Sequence, residues 1–179
     1  MNVKSMLIRL PTFPQSAMDK HTWNYRDNST WRSTRNSFGG GMSPLLVLAK
    51  DPPQMHNCVY EIATYFRREF GYDFVQYSKD KRDPEDKCQA FLWYERNDFS
   101  AYESDVVYGA CCFRYREWKN SEPGWSLQWV WFHPFQREKG HLKNAIPLFK
   151  KLYGNFEVEA PYSRAMKQCV DKYQLNRKL

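Results

Sequence analysis

The chain has 179 residues, of which 42% are hydrophobic and 26% charged, the size and composition of one soluble globular domain. No segment approaches the length of a transmembrane span, and the apolar run at Met6–Leu10 is too short for a signal peptide, so we expect a cytoplasmic protein with no membrane partner. The formal net charge of +7 favours an anionic ligand or nucleic acid without deciding between them.

The cysteines do not form a metal-binding pattern. They show no Cys-x-x-Cys spacing and no His pair close by, so we predict no metal site. An odd number of thiols at apolar positions is typical of a reducing compartment. The residues concerned are Cys58, Cys88, Cys111, Cys112 and Cys169.

Aromatic residues make up 17% of the chain, which is a high share. One interpretation is a core built from large rings, and the other is a surface on which a ring-bearing ligand stacks. We favour the core, because aromatic side chains dominate many protein interiors.

The first 50 residues give few clear signals. We predict a short strand at Met6–Leu10 and, at the turn-rich segment Gln15–Gly41, an irregular appendage or a substrate-side lobe. Pro44–Ala49 is a continuous apolar run that suits a buried strand. We therefore treat residues 1–179 as a single domain in which 1–50 is the least recognisable part.

A helix follows. The Asp51-Pro52-Pro53 sequence predicts its start, and Gly71 predicts its end. Between them, apolar residues recur at helical spacing: Met55, Val59, Ile62, Ala63, Phe66 and Phe70. The charged segment Lys79–Lys87 then predicts a surface loop.

Three strands come next. We predict them at Ala90–Glu95, Val106–Arg116 and Trp125–Phe132. Both faces of the second strand are apolar, which indicates a strand in the middle of a sheet covered by helices on each side. In the third strand, alternation predicts one aromatic face with Trp125, Leu127, Trp129 and Trp131.

The last third of the chain predicts helix, strand, helix. The apolar stripe from Leu142 to Tyr153 indicates a helix that Pro147 should kink. Phe156–Glu159 alternates like a short strand, and Tyr162–Tyr173 predicts a final helix. The fold class is therefore α/β (α+β), a mixed central β-sheet flanked by helices on both faces.

A basic turn joins the third strand to its helix. It holds Arg137, Lys139 and one glycine, Gly140. Unpaired backbone N–H groups and the positive end of the helix dipole converge at such a turn, so an anion is favoured there.

The stretch Pro134–Leu142 resembles the acetyl-CoA pyrophosphate loop of the GCN5-related N-acetyltransferase (GNAT) superfamily, in which a strand ends in Pro and an Arg-x-x-Gly-x-Gly/Ala turn follows. Arg137 and Gly140 match that pattern, and Lys139 is a common occupant of its position. Glu138 stands where the family usually has Gly, and the stretch ends in Leu where a small residue is usual.

The resemblance implies an acetyltransferase-like fold with two splayed strands, and acetyl-CoA as the cosubstrate that acetylates an amine-bearing acceptor. Backbone groups near Trp131 and Phe132 would pair with the pantetheine arm and polarise the thioester carbonyl. Ser163 occupies the polar position that the family has before its last helix. The resemblance thus implies these cofactor-binding residues: Trp131, Phe132, Arg137, Glu138, Lys139, Gly140, His141, Leu142 and Ser163.

The catalytic residues are less well defined. Family members often place a Glu on the central strand, where this chain has Gln128, so the base is left among His133, Glu103, Glu117 and Glu159. The family's acid is commonly a Tyr four residues beyond a helix Ala, and Ala165 puts Cys169 there. We favour Tyr173, one helical turn further along, over Cys169, with core packing as the alternative role of either.

The sequence leaves other functions open. The aromatic residues and the basic charge are also typical of an RNA-binding or single-stranded DNA-binding module that stacks on bases. Two further alternatives are an acetyltransferase whose acceptor is carried on RNA and a GNAT-like binding protein without catalysis. The sequence also leaves a homodimer open.

Overall fold

The computed structural model describes residues 8–20, 44–79, 87–96, 104–118 and 122–176. The strands are β1 (Thr12–Pro14), β2 (Leu45–Val47), β3 (Cys88–Arg96), β4 (Ser104–Arg116), β5 (Gly124–Phe132) and β6 (Glu157–Val158). The helices are α1 (Gln15–Asp19), α2 (Pro53–Phe70), α3 (His141–Tyr153) and α4 (Arg164–Tyr173), with a 3-10 turn at Pro134–Gln136 before α3.

The strands form one mixed sheet in the order β2-β3-β4-β5-β6. Neighbours from β2 to β5 are antiparallel, whereas β6 runs parallel to β5. β1 pairs with the first residues of β4, on the same side of β4 where β5 pairs with its later residues. The predicted fold class is confirmed.

The sheet separates two core layers. On one face, α2 packs against residues such as Ala110 and Cys112 of β4. On the other face, α3 and α4 pack against Cys111 and Phe113. β4 is therefore central and buried on both faces, as its two apolar faces predict.

The boundaries of α2 follow from local chemistry. Pro53 is its first residue, a position where the missing N–H costs no helical hydrogen bond. Gly71 ends it in the left-handed region with φ 72°, and its N–H donates to the carbonyl of Arg67. The N-cap residue is Pro52, and the Asp51 carboxylate just before it accepts from the Leu48 N–H at 2.7 Å.

Two N-terminal predictions need correction. Within Met6–Leu10, the described residues 8–10 are not a strand, and the strand lies later, at Thr12–Pro14. The predicted irregular segment begins with the short helix α1, while its residues 21–43 lie outside the described part of the chain, as do 80–86 of the predicted charged loop.

The predicted faces of β5 are wrong beyond Leu127. Cys112 of β4 pairs with Trp129 and Phe113 pairs with Leu127, so Gln128 is an extra residue in a β-bulge. A one-residue insertion moves every later side chain to the opposite face. Trp129 and Trp131 consequently pack with α2, while Trp125 and Leu127 share the α3 layer with Val130 and Phe132.

α3 is continuous across Pro147, and the kink expected at this residue stays a prediction. Gly154 follows the helix, and Ser163 caps α4 by accepting from the Met166 N–H at 3.1 Å. In the described part of the chain, the helices are too short or too polar to cross a bilayer.

Candidate functional site

A wedge opens between β5 and β6. The two strands pair only at Ser126 with Glu157 and Leu127 with Val158, and the Glu159 N–H makes a last bond to the Leu127 carbonyl at 3.0 Å. β5 continues to Phe132 beyond this pairing. The expected splayed strands are therefore present, and they part at the bulge at Gln128.

The wedge contains a groove of about 350 Å³. Val130 and Phe132 of β5 form one wall, and Met166 and Cys169 of α4 form the opposite wall. Ser163 also lines it. Of the nine cofactor residues that the resemblance implies, all but Lys139 line this groove: Trp131, Phe132, Arg137, Glu138, Gly140, His141, Leu142 and Ser163.

The position of Phe132 depends on a glycine in the neighbouring strand. Gly109 of β4 pairs with Phe132, and a Cβ atom on Gly109 would lie 2.3 Å from the Phe132 ring. The ring also packs edge-on against Trp93, with ring centroids 4.8 Å apart, and stacks on His141 at 5.5 Å. Gly109 thus makes room for a wall of the groove, a role that the sequence pattern of β4 does not reveal.

The turn after β5 brings backbone N–H groups to the groove. α3 begins at His141, and its first N–H groups have no acceptor within the helix. Gly140 has φ 81°, which glycine adopts without strain. Glu138, where the family usually has Gly, has φ 62° and therefore carries a conformational cost of about 1 kcal/mol.

Arg137 is turned toward α2. Its guanidinium donates to both carboxylate oxygens of Glu69 at 2.7 and 2.6 Å, and to the Phe132 carbonyl at 3.0 Å. Trp131 donates its indole N–H to the same carboxylate at 2.7 Å. Glu69, which no sequence pattern singles out, therefore joins α2, β5 and the turn.

The charge on Glu69 is stabilised by these partners. Burial would raise its pKa, but the hydrogen bonds from Arg137 and Trp131 outweigh burial and lower the pKa below its ordinary value. Arg137 accordingly orders the turn. Lys139, which contacts Gln136, and Lys143, which lines the groove, add positive charge that can attract an anion.

His141 is buried at the start of α3. Its ring contacts Tyr108 as well as Phe132, and its Nε2 lies 3.3 Å from the Gln136 side-chain oxygen. Burial, with Lys139 adding to it, lowers the pKa of His141, while Glu95 opposes the change. A neutral imidazole at the groove is the consequence.

The proposed catalytic residues are not grouped together. His133 caps the 3-10 turn, with Nδ1 accepting from the Phe135 N–H at 3.4 Å, and it does not line the groove. Burial and then Arg137 lower its pKa, which keeps this acceptor nitrogen unprotonated. Tyr173 also lies outside the groove lining, whereas Cys169 is within it. Burial raises the pKa of the Cys169 thiol.

Among the carboxylate candidates, Glu159 alone of those described lines a cleft. Arg116 donates to it through two nitrogens at 2.8 and 2.9 Å. The Ser126 hydroxyl also donates to it. Burial would raise its pKa, but these bonds lower it. Glu117 is exposed beside Lys87, and Glu103 lies outside the described residues.

A second, smaller cleft of about 50 Å³ adjoins the groove. The two share Phe70, Val130, Ser163 and Met166, so they are connected through common walls. The cleft reaches the bulge at Gln128 and the start of the β5–β6 divergence. Helical spacing predicts Phe70 as a helix position and gives no signal that its ring stands at an opening.

No protein-family model matches the sequence, and no curated protein matches it in sequence. Solved structures do match the fold. The ribosomal-protein-alanine N-acetyltransferase from Brucella melitensis biovar Abortus 2308 superposes with a TM-score of 0.50 at 10% identity, covering 76% of this chain and 92% of that chain.

Two aminoglycoside acetyltransferases give lower scores. One, from an uncultured soil metagenomic sample in complex with sisomicin, has a TM-score of 0.47 at 13% identity over 76% of this chain and 87% of its own. The other, in complex with CoA, has a TM-score of 0.38 at 16% identity over 64% and 84%. The superposition on the Brucella enzyme, taken with the mixed sheet whose parallel β5 and β6 diverge, shows that the chain has the GCN5-related N-acetyltransferase fold.

Proposed function

We propose that the protein is an N-acetyltransferase that moves the acetyl group of acetyl-CoA directly to an amine-bearing acceptor. The observation that carries the proposal is the groove of about 350 Å³ between the diverging strands, with a helix N-terminus at its end. A thin, largely apolar pantetheine arm suits the groove, and a pyrophosphate suits the turn.

The chain's own groups fit this ligand. Beyond Leu127, the edge of β5 that faces the wedge has no pairing with β6. Its backbone groups can therefore pair with the amides of the pantetheine arm. The first N–H groups of α3, with Lys139 and Lys143 nearby, suit the phosphates. The Arg137–Glu69 pair supports the site by holding the turn against α2.

The reaction balances without a further reactant. The amine nitrogen attacks the thioester carbonyl carbon, a C–N bond forms and the C–S bond breaks. The nitrogen gives up one proton and the departing thiolate takes one, so an amide and free CoA are the products.

Cys169 is the better candidate for proton donation to the thiolate. It lines the groove, whereas Tyr173 does not. Because burial raises the pKa of Cys169, the residue remains a thiol at neutral pH and can donate. Steady-state kinetics of Cys169→Ser should therefore show a lower kcat and a nearly unchanged KM for acetyl-CoA.

We also propose a cytoplasmic location, which is supported by five cysteines that are all free thiols in this structure.

Calorimetry with acetyl-CoA tests the proposal. We expect saturable binding that weakens as salt rises, and that falls about tenfold in Lys143→Glu, whose side chain lines the groove. The matched control is Lys167→Glu on the exposed side of α4, which should bind like the wild type. The absence of binding, or equal losses in both variants, would contradict the proposal.

A further inference from the structure

The smaller cleft has an aromatic wall. The Phe66 ring contacts three others, with centroid distances of 5.0 Å to Phe70, 5.1 Å to Tyr72 and 5.7 Å to Trp129. All four residues line the cleft, and Tyr162 lines it from the segment after β6. Two of these rings face solvent at the opening, since Phe70 is 45% exposed and Tyr162 is 36% exposed.

The volume of the cleft limits what can enter. An apolar cavity that encloses a benzene ring measures about 150 Å³, and this cleft measures about 50 Å³. A ring therefore stays outside, where the exposed faces of Phe70 and Tyr162 can stack on it. An amino group and a short carbon chain fit inside.

Gln128 lines the cleft and carries a buried hydrogen-bond acceptor beside it. Gln128, the bulged residue, donates its side-chain amide to Gln76 at 2.8 Å. Its side-chain oxygen is buried and has no hydrogen-bond partner among the described residues. A buried oxygen is costly to leave unpaired, so a turn of the Gln128 side chain toward the N–H group of an amine in the cleft is favoured.

The charge in the cleft favours a simple amine over a polycation. The carboxylate that lines it, Glu159, is already neutralised by Arg116. Gln128 is uncharged. The described lining therefore attracts an amine through one hydrogen bond and ring stacking, without a cluster of free carboxylates.

We propose that this cleft is the acceptor subsite, and that the acceptor is a primary amine carried on a short chain attached to a flat ring. The inference rests on the proposed acetyl transfer, because the shared wall at Val130 and Met166 puts the cleft next to the groove. The amine enters toward Gln128 and the ring lies on the Phe70 and Tyr162 faces at the opening.

The test compares 2-phenylethylamine with n-butylamine as acceptors in acetyl-CoA turnover. We expect kcat/KM for the ring-bearing amine to be about tenfold higher, and Phe70→Leu to reduce that ratio to near one. Phe70 also lines the groove, so Phe70→Leu can change acetyl-CoA binding. Such a change affects both amines equally and therefore cancels in the ratio of their kcat/KM values. The matched control is Phe74→Leu, an exposed ring, 65% accessible, that lines neither cavity; its ratio should stay at the wild-type value.

Three outcomes would separate this inference from the proposed function. Acetyl-CoA binding and turnover with no preference for the ring-bearing amine, or a preference that survives in Phe70→Leu, would overturn the acceptor assignment alone. Failure to bind acetyl-CoA at all would overturn the proposed function itself.

Discussion

Glu69 is the residue on which three elements converge, because one carboxylate accepts from Arg137 of the turn and from Trp131 of β5 while it belongs to α2. Glu69→Gln removes the charge and keeps the shape. Since the pair is partly exposed, we expect a loss of about 1 kcal/mol in the free energy of unfolding, together with weaker acetyl-CoA binding. Urea unfolding and calorimetry measure the two effects. Glu61→Gln, on the exposed face of the same helix, is the control and should change neither.

The Glu159–Arg116 pair predicts a dependence of stability on pH. The folded-state pKa of Glu159 is lowered, so its contribution is full above the ordinary carboxyl pKa and is lost as pH falls through the lowered value. At neutral pH, Glu159→Gln should destabilise the protein by about 1–3 kcal/mol. As pH falls from the ordinary carboxyl range through the lowered pKa of Glu159, the gap in stability to the wild type should close. A gap that stays constant in acid, or an equal effect of the exposed Glu117→Gln, would show that the pair is not responsible.

Glu138 allows the backbone cost of the turn to be measured. At φ 62°, a glycine is free of the clash that Cβ makes. Glu138→Gly should therefore be more stable than Glu138→Ala by about 1 kcal/mol, because both variants lose the carboxylate and only alanine keeps Cβ. Thermal unfolding of the two variants side by side gives the difference. Equal stabilities would mean that the turn is not strained at this position.

At the scale of elements, the contact between β4 and β5 sets the groove wall. Gly109→Ala puts a Cβ atom 2.3 Å from the Phe132 ring, so the ring must leave its position. We expect a loss of about 1–3 kcal/mol in stability, as for other overpacked cores, and weaker acetyl-CoA binding. Gly124→Ala in β5 is the matched control, because its Cβ would meet only the Trp118 side chain at 3.8 Å. If the two variants behave alike, Phe132 does not shape the site.

The elements themselves could largely be predicted from the sequence. Apolar periodicity, Pro53 and Gly71 define α2, and the two apolar faces of β4 place it in the middle of the sheet. Periodicity could not predict the bulge at Gln128, because the inserted residue breaks no local preference and is visible only in the pairing with β4. The predicted faces of the β5 side chains after Leu127 are therefore wrong.

At the scale of the whole molecule, the aromatic content mainly builds the core. Trp93, Trp129 and Trp131 are each no more than 3% exposed, which confirms the core interpretation for these rings and leaves them unable to stack on nucleic-acid bases. Nucleic-acid binding and a homodimer stay predictions of the sequence. The excess of positive charge is consistent with an anionic cosubstrate.

The position of the candidate site could be predicted from the sequence, but its internal contacts could not. A strand, a basic turn and a helix in succession locate the groove, because that order brings N–H groups together. The engagement of Arg137 by Glu69 joins residues 68 positions apart in sequence. Such a contact depends on how α2 packs on the sheet, which a local pattern does not contain.

A crystal structure of the protein with CoA shows whether the diverging strands hold the pantetheine arm of acetyl-CoA. We predict electron density for the arm between β5 and β6, along Val130 and Phe132, with the pyrophosphate at the turn before His141. CoA bound at another surface, with no CoA between β5 and β6, would contradict the proposed binding mode.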